Sequence, residues 1–388
     1  MGLNQNLVMV LIATVIAFST LYVPQPMLPM LAQNFGISAG QSGLLMTVAM
    51  LPLALAPVLY GYYLQAIPAR LMLMVTLLLL AVNQICVYFV DAFWHLLVLR
   101  GVQGLLLSAV FTALMTYCAN MAPRGGIRLV MGCYIGATIL GGFAGRLAGG
   151  FFASMFDWRM AFVMIGLAQF VALILLLRAD ADADVNFARL DAKRILRVLS
   201  QSNYQYMFIA LAGVFFVFSG VLNLAPFHLR DIDTTATPFL IAILYVGYLI
   251  GVPVSFCSDA IGRRLGDERT ALGIGLAVHG FGLIMLLFVA YQGLVIMMFF
   301  LAGGFFLVHS RLSGLANHLA DDHKGVVNGL YVSIYYLSGA LGSWLPGYIY
   351  DGLGWQAMII IFGGILAISA CSVIRLNINC SASHARIH

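Results

Sequence analysis

The sequence predicts an all-α integral membrane protein whose twelve transmembrane helices form two six-helix pseudo-repeats. Three observations carry this. Of 388 residues, 62% are hydrophobic and 9% charged, with a mean hydropathy of +1.00, where a soluble domain carries about 25% charged residues. A bilayer core about 30 Å thick takes roughly 20 apolar residues of helix. Twelve such runs lie near 7–31, 41–64, 70–90, 94–120, 127–153, 158–178, 205–229, 238–257, 270–290, 293–319, 325–350 and 355–376. Sliding the chain by 197 residues then places Ala119-Asn120 on Ala316-Asn317, Gly132 on Gly329, Tyr134 on Tyr331, Gly142 on Gly339, Gly145 on Gly342, Gly150 on Gly347 and Trp158 on Trp355 without a gap. Parallel repeats of this kind put a binding site between halves, near the midplane.

The expected organisation is a first bundle at 1–178, a linker at 179–204, a second bundle at 205–376 and a tail at 377–388. MGLNQN has no basic n-region and no small-residue cleavage site, so the first run is expected to be kept as a helix. Pro24, Pro26 and Pro29 interrupt its hydrogen bonding or cap its outer end. The longest polar stretch, 178–203, is basic in its second part and separates the bundles. Fourteen of 19 basic residues fall on the face of the amino terminus, Arg159 and Arg230 on the other, and Arg100, Arg146 and Arg311 within spans. Positive charge collects on the inside, so both termini are expected in the cytoplasm. The same placement excludes nucleic acid as a partner. Six cysteines without a C-x-x-C pair read as buried free thiols.

The fifth span contains GGFAGRLAGG, in which Gly141, Gly142, Gly145 and Gly149 let helix backbones approach closely; Gly342 repeats Gly145 in the second half. Arg146 falls on Ser343 in the repeat register, so the glycine scaffold recurs and the charge does not. A charge at the centre of a membrane helix costs at least about 2.5–3.5 kcal/mol. Snorkelling toward the outer surface is one explanation, and a cavity-facing role is the other.

These residues resemble the major facilitator superfamily, and within it an arabinose-efflux-like, drug-proton antiporter branch. LYVPQPMLPMLAQNFGIS (21–38), GGFAGRLAGG followed by Asp157-Trp158-Arg159, and NGLYVSIYYLSGALGS (328–343) carry the resemblance. It implies the major facilitator fold. The family's loop signature G-x-x-x-D-x-x-G-R-R is matched in the second half by Asp259, Gly262, Arg263 and Arg264, with Ser255 in place of the first glycine. In the first half Gly61 and Arg70 match, while Gln65, Pro68 and Ala69 depart. The resemblance implies a gating latch at these loops, matched at all but its first glycine in the second half and weakened in the first. LLVLRGVQG (96–104) is similar to the arginine motif through which related antiporters couple protons to substrate, a role implied for Arg100.

All 14 acidic residues fall in loops or at span edges. Arg100 and Arg146 stand at one depth, Arg311 nearer the inside, with no acidic residue in a span to neutralise them. A substrate carboxylate or phosphate between two arginines would complete such a site, and backbone carbonyls or tyrosines are the alternative. His309, beside Ser310 and Arg311, is the candidate proton carrier. Gln25, Gln103, Tyr335 and Tyr336 are candidate cavity residues, together with Tyr22, Asn83, Gln84, Tyr117, Asn223 and Tyr245. NHLADDHKG (317–325) has metal-ligand chemistry and reads as a solvated loop, so neither a metal nor a cofactor is expected.

The sequence reading is a secondary transporter that moves a small organic solute, anionic or amphipathic, by alternating access, exchanging it outward for protons across an inner membrane as a monomer in the lipid bilayer. Uptake of an anionic metabolite or carboxylate siderophore is the alternative. An enzyme would need a nucleophile with its base, or a metal set, at one depth, and a sensor would need a soluble domain that a linker of this length does not hold. His309→Ala is predicted to flatten a transport rate that otherwise changes steeply between about pH 5.5 and 7.5. A pH profile in proteoliposomes that the substitution leaves unaltered removes that assignment.

Overall fold

A computed structural model describes residues 5–63, 67–122, 126–178, 184–185, 192–320 and 324–377. Gln65, Asp321, Asp322, His323, Cys380 and most of the linker lie outside the described residues. In the first half, α1 (Gln5–Tyr22) continues through a 3-10 turn (Gln25–Met27) into α2 (Leu28–Phe35), and α3 (Ala39–Tyr63), α4 (Ala69–Cys86), α5 (Phe93–Asn120), α6 (Ile127–Met155) and α7 (Trp158–Leu177) complete six crossings. A short basic helix, α8 (Ala192–Leu199), exposes Lys193, Arg194 and Arg197 and buries Val198. The second half comprises α9 (Ser202–Ile232), α10 (Pro238–Ile243) running through a 3-10 segment (Leu244–Ile250) into α11 (Gly251–Leu265), then α12 (Glu268–Met285), α13 (Tyr291–Leu319) and α14 (Lys324–Arg375). The last is two crossings: Gly354, at φ 80° and ψ 180°, sits in backbone space open to glycine and breaks the helix. The all-helical expectation holds but for one two-residue bridge, where β1 (Ile67–Pro68) pairs with β2 (Asp184–Val185).

Two apolar cores organise the molecule. One gathers buried residues from Leu7 to Leu176, the other from Val198 to Leu376; Ala340 reaches into the first, and Ala39 and Ile139 into the second. The prolines act as the sequence suggests. α1 ends at Tyr22, and the tighter winding of Gln25–Met27 carries the chain into α2 with Gln25, Pro26 and Met27 all buried. The eighth span runs on to Leu265 and past its apolar end, because Ser258, Asp259, Arg263 and Arg264 continue the helix beyond the hydrocarbon. Cys86, Cys257 and Cys371 are exposed free thiols on outward helix faces, correcting the expectation that they are buried; Cys118 is buried.

The glycine stripe of α6 is a backbone-to-backbone seam with α1. A Cβ on Gly145 would stand 2.1 Å from the Ser19 carbonyl oxygen, and one on Gly149 2.0 Å from that of Val23. Gly141 meets Val15 in the same way, and Ser19 Oγ bonds the Gly141 carbonyl at 3.0 Å. The seam recurs in the second half, where Gly342 packs on Phe216 and Ser219 Oγ bonds the Gly339 carbonyl at 2.9 Å. Gly142 is turned away from the seam, toward Arg146, Tyr22 and Tyr248.

Gly145→Ala is predicted to lower the melting midpoint in detergent, since overpacking costs about 1–3 kcal/mol. Gly363→Ala, where a Cβ meets nothing within 4 Å, serves as the control and should hold or raise the midpoint. Equal behaviour of the two variants would contradict a packing role for the seam.

Candidate functional site

Arg146 is 0% exposed, so it does not snorkel. Its Nε donates to Gln25 Oε1 at 2.5 Å and its Nη1 to the Gly142 carbonyl at 2.9 Å. The guanidinium carbon lies 4.2 Å from the ring centre of Tyr22, 4.6 Å from that of Tyr248 and 4.9 Å from that of Tyr245. Such a contact is worth about 0.5–1 kcal/mol at an exposed site and about 2 kcal/mol or more when desolvated. The winding of the eighth span explains the cage. In a 3-10 helix, residues three apart eclipse, so Tyr245 and Tyr248 present their rings together from Leu244–Ile250. Tyr248 was not among the sequence candidates; the Y-x-x-Y spacing, which puts the pair on one helix face, was the available signal.

Hydrogen-bond polarity propagates outward from the arginine. A guanidinium only donates, so Gln25 must turn its oxygen to Arg146 and its amino group away. Gln25 Nε2 accordingly donates to Asn223 Oδ1 at 2.6 Å, across to α9 of the second half. Within this network two buried donor atoms, Arg146 Nη2 and Asn223 Nδ2, have no aligned hydrogen-bond partner among the described residues, although the Tyr248 hydroxyl approaches the guanidinium closely enough to share a hydrogen bond with it. At the register partner of Arg146, Ser343 Oγ pairs with Ser219 Oγ at 2.8 Å.

Arg100 is buried too, but it is not part of this group. Its Nε donates to the Leu45 carbonyl at 2.9 Å, Nη2 to that of Leu21 at 2.9 Å, and Nη1 to that of Thr20 at 3.3 Å and to Gln103 Oε1 at 2.7 Å. Gln103 also donates to the Thr20 carbonyl at 2.8 Å. The two residues staple α5 to α1 and α3 within one half. The expected pair of arginines sharing one anion is therefore not formed, because carbonyl oxygens already occupy Arg100.

Arg311 corrects a second expectation. It is neutralised within its own half, by Asp259 at 2.9 Å and by both oxygens of Glu268, Nε–Oε2 being 2.8 Å. The signature glycine has a physical reason here: a Cβ on Gly262 would stand 2.8 Å from the Arg311 guanidinium carbon, so only glycine lets that group lie against α11. Arg263 and Arg264 are exposed. Arg70 donates to the Leu177 carbonyl at 2.7 Å, at the C-terminal end of α7 where a cation is favoured.

A cavity of about 400 Å³ opens between the halves. Phe18 and Tyr22 of α1 and Tyr134 and Thr138 of α6 face Tyr248, Phe306, His309, Tyr331, Tyr335 and Tyr336 across it, and Ser258 and Asp259 line its end nearest the chain termini. His309 Nδ1 lies 3.0 Å from the Tyr331 hydroxyl. Beside Arg146, a separate void of about 10 Å³ shares Tyr22 and Tyr248 as walls. At the opposite face the halves meet. Asp351, near the end of the eleventh crossing, accepts from the Ala39 and Gly40 backbone N–H groups at 3.1 and 2.9 Å, capping α3 of the other half. Thr47 Oγ1 donates to the Ala340 carbonyl at 2.7 Å, and the Phe239 N–H donates to Ser154 Oγ at 2.8 Å. Among the described residues, groups of three or more potential metal ligands are absent.

Known proteins share this architecture. The chain is 28% identical over 388 residues to the inner membrane transport protein YnfM of Escherichia coli strain K12, covering 96% of this chain and 88% of that one. It is 23% identical to the multidrug efflux protein YfmO of Bacillus subtilis strain 168, covering 86% and 84%. The solved nucleoside transporter NupG superposes with a TM-score of 0.76 at 12% identity, over 96% of this chain and 100% of that one. A bacterial homologue of the lysosomal transporter Spinster, in an inward-facing and unoccupied conformation, superposes with a TM-score of 0.72 at 13% identity, over 96% and 94%. The profile described as Major Facilitator Superfamily matches residues 10–343. With a match across most of its length, this chain belongs to the Major Facilitator Superfamily: it is a multi-pass membrane transporter and not an enzyme.

Proposed function

We propose that the protein exports a small organic solute in exchange for protons, by rocking its two halves about the aromatic cavity. The observation that carries this reading is the asymmetry of the interface. At the face opposite the termini, Asp351 caps α3 across the halves, whereas at the termini face Asp259 turns to Arg311 of its own half and lines the cavity. One gate is latched and the other is open. The positive-inside rule puts the open face in the cytoplasm, so solute enters from within and the Asp351 cap is the contact that must release for export. Relatedness to a multidrug efflux protein and to an inner membrane transport protein supports the direction and the membrane. His309, at the cavity wall on the Tyr331 hydroxyl, is the group we assign to proton carriage. A monomer suffices, since both halves lie in one chain.

The cap has a measurable worth. Losing an N-cap costs about 0.5–2 kcal/mol, roughly a two- to thirty-fold shift in population. Spin labels on Phe156→Cys and Leu353→Cys, exposed positions on the two halves, report the separation of the latched face in a cysteine-depleted background. Asp351→Ala is predicted to add a longer distance to their distribution. In vesicles loaded with a pH-sensitive dye, a transported amphiphile should move protons, and Asp351→Ala should slow that movement. An unchanged distance distribution removes the latch, and absence of solute-driven proton flux from the unmodified protein for every amphiphile tried removes the exchange reading.

A further inference from the structure

The donor network around Arg146 narrows the class of cargo, on the assumption that the cavity is the transport site. We propose that Arg146, held from behind by Gln25 and Asn223, recognises one acceptor oxygen of a small aromatic monoanion, an aromatic carboxylate being the simplest member. Three features of the site point there. Arg146, Gln25 and Asn223 are each at most 1% exposed, and their bond polarity is forced from the arginine outward, which leaves Arg146 Nη2 a donor with no carbonyl or carboxylate partner among the described residues, the Tyr248 hydroxyl being the group that approaches the guanidinium. A buried donor is satisfied by an acceptor, and an anion meets the guanidinium charge as well. Among the described residues the charge also has no counter-ion close by: it touches an amide, a carbonyl and three tyrosine rings.

Size and walls supply the rest. The void at the guanidinium, about 10 Å³, has room for about one oxygen atom. Beyond Tyr22 and Tyr248 the cavity is large enough for a ring system and is lined by Phe18, Phe306, Tyr335 and Tyr336. Edge-on and stacked rings prefer an aromatic body. Asp259 stands at the open end, and one guanidinium neutralises one negative charge, so a dianion is disfavoured.

The test measures binding without transport. Purified full-length protein in detergent is melted with benzoate, benzamide or benzylamine at matched ionic strength. Benzoate is expected to raise the midpoint, while the neutral amide and the amine leave it in place. Asn223→Leu, which releases the Gln25 amide that orients the guanidinium, is expected to weaken benzoate binding about tenfold, and Arg146→Gln to abolish it. If Arg146→Gln does not fold, the three-probe comparison on the unmodified protein still decides. Equal or greater stabilisation by benzamide or benzylamine, no shift with any probe, or unchanged benzoate affinity in Asn223→Leu overturns the assignment. Solute-driven proton flux in vesicles alongside inert benzoate would overturn this inference and leave the transport reading standing.

Discussion

A guanidinium can donate hydrogen bonds but never accept one, and burying it fixes the orientation of every amide it touches. In this chain that constraint begins at Arg146, passes through Gln25 and ends at Asn223 in the other half. The glycine seam makes the placement feasible. With Gly141, Gly145 and Gly149 holding α6 against α1, the adjoining face of α6 brings Arg146 to the interface between halves, where Gly142 leaves space for its head. Tyrosines from both halves then surround the charge. The site belongs to neither half alone, as a centre about which the halves rock requires.

The three membrane arginines divide by what surrounds them. Arg100 meets backbone carbonyls and holds three helices of one half together. Arg311 meets two carboxylates and braces α11, α12 and α13 near the termini face. Arg146 retains a donor without a partner among the described residues. Removing a partner from a satisfied network leaves groups stranded and costs about 1–3 kcal/mol each, so substitutions at Arg100 and Arg311 act first on folding.

The architecture was legible because the bilayer imposes a length on every span and the repeat preserved glycines and tryptophans where packing is closest. Arg146 was legible for the opposite reason: its cost in hydrocarbon demands an explanation. The partners were harder to see. Glu268 lies 43 residues from Arg311, and only the packing of α12 against α13 brings the pair together. Asp351 looks like any loop carboxylate until α3 is found beginning beneath it. Tyr248 depends on a 3-10 winding that apolar periodicity does not report. Side chains that answer to their own helix could be read from spacing, and those that answer to another helix could not.

The central claim is that Arg146 orders one hydrogen-bond chain across the two halves, and a double-mutant cycle tests it most directly. Melting of Gln25→Leu, Asn223→Leu and the double variant, each with Arg146 and with Arg146→Met, yields the coupling between two residues in different halves. The account predicts coupling of about 0.5 kcal/mol or more with the arginine present and its loss in the methionine background. Additive effects in both backgrounds would contradict it.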